Sequence, residues 1–169
     1  CSRALLKHDD IQIALNESLD VLRRSANAGR VYVFENFIDE NQELCARQLA
    51  QVCDPSVDSQ FDNPDLQHLP YKKGLSRWRE TLSAGKPIKG LTKKLPKSER
   101  MILEPHGTVS RLILPIKVQD KWYGFIGFDE LETERDWDDQ DIRLLQTAAE
   151  MIGGYLSRKE AETALRMSE

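Results

Sequence analysis

Three histidines, His8, His68 and His106, and three cysteines, Cys1, Cys45 and Cys53, are the residues of this 169-residue chain best suited to metal ligation or nucleophilic chemistry. The histidines are scattered, with no pair at metal-ligand spacing and no neighbouring cysteine pattern, so no metal site is expected and surface or capping roles are assigned to them. Cys45 and Cys53 would share a face of a regular strand, but eight residues at ~3.3 Å each hold them about 26 Å apart. They form no dithiol without a break in that strand, and buried structural thiols are the default reading. No Ser, His and acid arrangement marks a hydrolase, and no Gly-rich loop leads into a helix as a phosphate cradle requires. No catalytic residue is expected in this segment. Lys86, Lys89, Lys93, Lys94, Lys97 and Arg100 form a basic group that contrasts with the acidic Asp129, Glu130, Glu132, Glu134, Asp136, Asp138 and Asp139. A solvated surface is the plain reading of both. The sharper one is that the basic segment draws an anionic ligand by its local field, which neutralising Lys93, Lys94 and Lys97 would test.

Composition bounds what can position these groups. With 40% hydrophobic and 31% charged residues the chain reads as one ordinary soluble domain. No apolar run approaches the ~20 residues that cross a bilayer, and the N-terminus lacks the apolar core of a signal peptide. A net charge of -4 gives no basic surface for nucleic acid. An odd number of cysteines without metal spacing suits a reducing compartment, so a cytoplasmic location is expected, even where a longer parent carries a membrane anchor.

The elements are clearest in the last third. In Arg111 to Gln119 the positions Leu112, Leu114, Ile116 and Val118 are apolar in alternation, the period of a half-buried strand. Trp122 to Asp129 is its aromatic and glycine-rich partner across a tight turn at Gln119, Asp120 and Lys121, with Asp120 the favoured residue for positive φ. Either choice of turn residues puts Tyr123, Phe125 and Gly127 on one face with Leu114 and Ile116. Gly124 and Gly127 mark a bulge or a place where a helix or ligand comes close. A helix then starts at the N-cap Asp138, with Asp141 three residues on and Trp137 stapled against Ile142. It carries two apolar stripes, one of Ile142, Leu145, Ala149, Ile152 and Leu156, the other of Leu144, Ala148, Met151 and Tyr155. One stripe suffices to cover a sheet; two require a second helix, most simply that of a parallel homodimer. From Ser157 the chain stays helix-forming and highly charged, as a connector would.

Further back, Asp9 or Asp10 caps a first helix through Ile11, Leu15, Leu19, Leu22 and Ala26, ending before Gly29. Strands follow at Val31 to Phe37 and Leu44 to Val52. The irregular, proline-containing stretch from Asp54 to Gly74 has the length of a lid. Short helices are expected around Leu75, Trp78 and Leu82 and over Ser98 to Leu103. They cover the hairpin face that carries Phe125.

The run RLILPIKVQDKWYGFIGFDE, the acidic loop with Trp137 and the helix DDQDIRLLQTAAEMIGGYLSRKEAETALR resemble the C-terminal half of a GAF domain from bacterial signalling proteins. RVYVFEN and WRETLSAGKPIKG are similar to its earlier parts in the same order. The resemblance implies an α+β, PAS-like fold: a central antiparallel sheet of five or six strands, N- and C-terminal helices on one face, short helices and a lid loop on the other. It implies an N-terminal connector over 1–9, a sensory domain over 10–156 and a helical connector over 157–169 leading to a downstream output domain. A histidine kinase is the favoured output, with a diguanylate cyclase or phosphodiesterase next, so the parent rather than this segment is the enzyme. The Asn-Lys and Asp-Glu pairs of cyclic-nucleotide-binding relatives are mostly missing, and Asp54 to Gly74 has no cysteine for a bilin, so the cofactor is unknown. Free methionine sulfoxide reductases, which use cysteine thiols, are the enzymatic alternative within the family, and a ligand-free dimerising spacer is the other. For a small-molecule pocket the expected lining is Cys53, Trp78, Leu114, Tyr123 and Phe125, all apolar or soft and on elements that enclose one face of the sheet.

Overall fold

The computed structural model describes residues 2–57 and 64–167. Six antiparallel strands form one sheet: β1 (Arg30–Ile38), β2 (Leu44–Cys53), β3 (Leu69–Pro70), β4 (Ile88–Leu91), β5 (Ser110–Val118) and β6 (Lys121–Glu130). Their spatial order is β3-β2-β1-β6-β5-β4. Two long helices, α1 (Ser2–Ala26) and α4 (Asp139–Met167), lie on one face; the short α2 (Ser76–Ser83) and α3 (Lys97–Leu103) lie on the other. The α+β fold with a six-stranded antiparallel sheet is therefore the architecture expected. Helix α1 runs through Asp9 and Asp10, so neither is its cap; SRALLKH before them is itself helix-forming. Of the expected lid, residues 58–63 lie outside the described residues, and the rest holds a 3-10 turn at Pro64–Gln67 and β3.

Each face of the sheet closes a separate core. On the long-helix side Val31, Val33, Leu112, Leu114, Ile116, Ile126 and Phe128 meet Leu15, Leu19, Leu145, Ala149, Ile152 and Leu156. Gly153 lets α4 lie against the sheet, since a Cβ there would stand 2.5 Å from the Lys117 carbonyl oxygen. On the short-helix side Tyr32, Phe34, Ile88, Ile113 and Phe125 meet Leu75, Trp78, Leu82 and Leu103.

The β5–β6 hairpin corrects the expected register. Gln119 and Asp120 both adopt positive φ, 53° and 63°, the pattern of a two-residue type I′ turn, so Val118 faces Lys121. The pairing then slips: Lys117 faces Trp122 but Ile116 faces Gly124, leaving Tyr123 as the extra residue of a bulge. One extra residue exchanges the faces of everything beyond it. Phe125 therefore stands opposite Pro115 on the short-helix side, while Leu114 pairs with Ile126 and points to the long helices, as does Tyr123. Gly127 is covered by the ring of Tyr32 from the neighbouring strand, rather than by a helix or ligand; a Cβ there would overlap that ring. A second bulge in the β1–β2 pair, with Val33 facing Ala50 but Phe34 facing Gln48, puts Cys45 and Cys53 on opposite faces of β2.

Candidate functional site

The short-helix face holds a partly open cavity of about 50 Å³. Its apolar wall is built from Phe34, Trp78 and Phe125. Phe34 stacks on Phe125 with ring centroids 4.9 Å apart, and Trp78 meets Phe125 edge-on at 5.6 Å. Trp78 is fixed from behind. Its indole N–H donates to Glu99 Oε1 at 2.8 Å, and Arg77 grips the same carboxylate through Nε at 2.7 Å and Nη2 at 2.6 Å. Glu99 is 1% exposed, so this clamp ties α2 to α3 beneath the surface. Leu66, Leu69, Leu75, Ile102 and Leu103 complete the apolar lining.

The other end of the cavity is charged, and the sheet register explains it. Arg30 faces Asp129 across β1 and β6, and Asp129 faces Arg111 across β6 and β5. Cross-strand neighbours project to one face, so the three form a buried row along the cavity floor. Asp129 accepts from the Tyr32 hydroxyl at 2.8 Å, from Thr108 Oγ1 at 2.8 Å and from Arg30 Nη1 at 3.3 Å. The same Arg30 nitrogen donates to the His106 carbonyl at 3.3 Å. Burial, then the charge of Asp129, pushes the Tyr32 hydroxyl well above its ordinary range, so it stays a donor. Gln48 and Gln51 line the same end, with Gln51 Nε2 donating to Gln48 Oε1 at 3.0 Å.

Of the five expected pocket residues the structure brings two, Trp78 and Phe125, to this cavity. Leu114 and Tyr123 belong to the opposite core. Cys53 ends β2 beside Asn16, Asp20 and Pro55 in an open surface depression, its thiol donating to Gln51 Oε1 at 3.3 Å. Arg30 and Arg111 were not among the sequence candidates, and Asp129, read there as part of a solvated acidic group, is instead buried. Their signal was weak but present: two arginines and an aspartate at the ends of largely apolar strand runs, where buried charge is costly unless it is used. Lys93, Lys94 and Lys97 do not line the cavity. Lys93 pairs with Glu134 at 2.5 Å and Lys89 donates to the Trp137 carbonyl at 2.8 Å, so the basic segment faces the acidic loop before α4.

One further cluster escaped the sequence. Asp39, Cys45 and His68 converge, with His68 Nε2 2.8 Å from Asp39 Oδ2 and 3.4 Å from Cys45 Sγ. The set has the donor chemistry of a transition-metal site. Both contacts use the same ring nitrogen, which rules out the Cys–His–acid relay of a nucleophile, where the two ring nitrogens serve different partners. Burial, then the hydrogen bond to Asp39, pushes the Cys45 thiol up to about 11, and the thiol donates to Asp39 Oδ2 at 3.4 Å. The cluster locks the β1–β2 turn to the segment entering β3.

On the opposite side of the sheet the helix expectations separate into two stripes. Asp138 caps α4, its Oδ1 accepting from the Asp141 N–H at 2.8 Å while the Asp138 N–H reaches back to Asp141 Oδ2 at 3.4 Å. Leu145, Ala149, Ile152 and Leu156 are buried on the sheet. In the second stripe Ala148 is buried and Tyr155 half-buried, while Leu144 is 60% and Met151 71% exposed. Ala148, Met151 and Tyr155 line a groove shared with Leu15, Val21 and Leu22 of α1.

The family model for the GAF domain matches residues 10–156. The methanogenesis regulatory histidine kinase FilI of Methanothrix harundinacea (strain 6Ac) is 40% identical over 164 residues, which cover 97% of this chain but 18% of that protein. Among solved structures, the blue-light absorbing form of the Thermosynechococcus elongatus PixJ GAF domain superposes with a TM-score of 0.76 at 17% identity, covering 95% of this chain and 92% of the other. A domain of a putative two-component sensor histidine kinase from Sinorhizobium meliloti 1021 gives 0.69 at 16% identity, covering 92% and 97%. At such identities these two likenesses concern the fold alone.

Proposed function

From the premise that this chain belongs to the GAF domain family, we propose that it is the small-molecule sensor of a signal-transducing histidine kinase, binding its ligand in the cavity on the short-helix face. The observation that carries this reading is the cavity itself. It is walled by aromatics, floored by buried charge and closed by two short helices that a single clamp holds. The kinase assignment rests on the FilI relative, of which the chain spans less than a fifth. The output domain lies beyond this chain, and α4 leads toward it.

A ligand signals only if it binds two arrangements of the protein differently. Here the ligand would press on β5 and β6 from one side while α4 lies on β5 from the other, so a shift of that strand reaches the helix directly. We propose that α4 and α1 pair with the same helices of a second copy. Exposed Ile13, Val21, Leu144 and Met151 support that pairing. The sensor reading is tested by thermal unfolding against a panel of metabolites, in wild type and in a cavity-filling Leu103→Trp variant. A ligand at a hundred times its Kd stabilises by ~2.7 kcal/mol, and the gain vanishes when the cavity is filled. A gain that survives filling puts the binding elsewhere, and a panel without any gain favours a ligand-free dimerising spacer.

A further inference from the structure

Resting on that sensory reading, we infer that the ligand is a small carboxylate, held side-on by the guanidinium of Arg111. Two cations and one anion make up the buried row on the cavity floor, and the anion is already in use. Asp129 accepts from Tyr32, Thr108 and Arg30. Arg111 is 2% exposed, and its Nε and Nη2 have no hydrogen-bond partner among the described residues. These two nitrogens are one edge of the guanidinium. Their N–H bonds run parallel, the fork that matches the two oxygens of a carboxylate. This edge of a buried cation takes no hydrogen bond to any described residue, which leaves the fork open to an anion. Arg30 Nε and Gln48 Nε2, also at the cavity, are two more buried donors without acceptors.

Size and shape narrow the class. The cavity measures about 50 Å³, whereas a cavity of ~150 Å³ admits benzene. Only the smallest carboxylates, of two or three carbons, come into range, with the oxygens on Arg111 and the short hydrocarbon end toward Phe34, Trp78 and Phe125. Inorganic phosphate could use the same fork, but Asp129 stands beside Arg111 in the row and opposes a dianion.

The experiment titrates acetate, propionate, inorganic phosphate and the neutral isostere propionamide into the protein at constant ionic strength, in a carboxylate-free buffer. The thermal midpoint and binding heat are followed in wild type, Arg111→Met and Arg111→Lys. A carboxylate should bind saturably, at least tenfold tighter than propionamide. Arg111→Met should lose this binding, and Arg111→Lys, which keeps the charge without the fork, should weaken it at least tenfold. Without any ligand, Arg111→Met should melt at or above the wild-type temperature, because an unpaired buried charge has gone. The inference is overturned if propionamide binds as well as propionate, if phosphate alone binds, if Arg111→Met keeps the carboxylate response or if no carboxylate binds saturably. It is equally overturned if ligand-free Arg111→Met melts well below wild type, which would make Arg111 a structural group. A neutral metabolite that stabilises wild type but not Leu103→Trp would sink the carboxylate and leave the sensor standing.

Discussion

Asp39 shows how much one carboxylate can organise. Its Oδ1 accepts the backbone N–H groups of Asn41 and Glu43 at 2.9 Å each, turning the chain between β1 and β2, and its Oδ2 meets His68 and Cys45. These bonds, with the Glu43 N–H first and His68 next, hold the carboxyl at about 2, below its ordinary 3.8. A carboxyl depressed on folding adds stability that is complete above its unfolded value and is lost as pH falls through the folded one. Asp39→Asn should therefore be less stable than wild type above about pH 4, with the difference shrinking toward pH 2. Chemical denaturation at a series of pH values checks this; a difference that stays constant with pH would show that charge is not the cause. None of this was legible in sequence. Asp39 and His68 are 29 residues apart and Cys45 stands between them, and only the hairpin and the return of the chain to β3 bring them together. The row of Arg30, Asp129 and Arg111 was hidden for the same reason: its members come from three strands, and register rather than local pattern aligns them.

Elements carry their own lesson in the β5–β6 hairpin. Alternation of apolar residues revealed β5, the aromatic and glycine-rich run revealed β6, and polar Gln119-Asp120-Lys121 revealed the turn, because these signals are local. The bulge at Tyr123 is not local, since it is defined by which residue of the partner strand is skipped. That one residue moved Phe125 to the cavity and left Leu114 and Tyr123 behind, while Trp78, on a helix with its own apolar spacing, landed at the cavity. The two short helices that cap this face depend on Glu99. Its removal strands the buried indole N–H of Trp78 and releases Arg77, which is itself 44% exposed and can be solvated. Glu99→Ala should cost about 2–3 kcal/mol, a fall of roughly 5–10 °C in Tm for a domain of this size, with tryptophan emission moving toward the red as Trp78 gains water. Unchanged emission would mean that Trp78 is held by its apolar neighbours alone.

Across the whole molecule the sheet is a partition: the cavity lies on one side, and the two long helices lie on the other. Helix α4 has 29 residues and is thus about 43 Å long, longer than the sheet it covers, and its charged end past Leu156 is exposed. Among the described residues no helix is long and apolar enough to cross a membrane. In the proposed dimer the exposed apolar side chains on the helix face meet the same face of a second copy, with Leu144 and Met151 of both chains in one seam. Because these two side chains stand mostly in solvent within one chain, charging them should leave the fold intact and act on association alone. The double variant Leu144→Lys, Met151→Lys should weaken dimerisation at least a hundredfold, or ~2.7 kcal/mol, in sedimentation equilibrium, while its Tm extrapolated to low concentration matches that of wild type. If the dimer persists, the seam runs elsewhere and α4 cannot be the helix through which two copies are coupled. If wild type is itself a monomer at high concentration, the proposed pairing of α4 with a second copy is wrong.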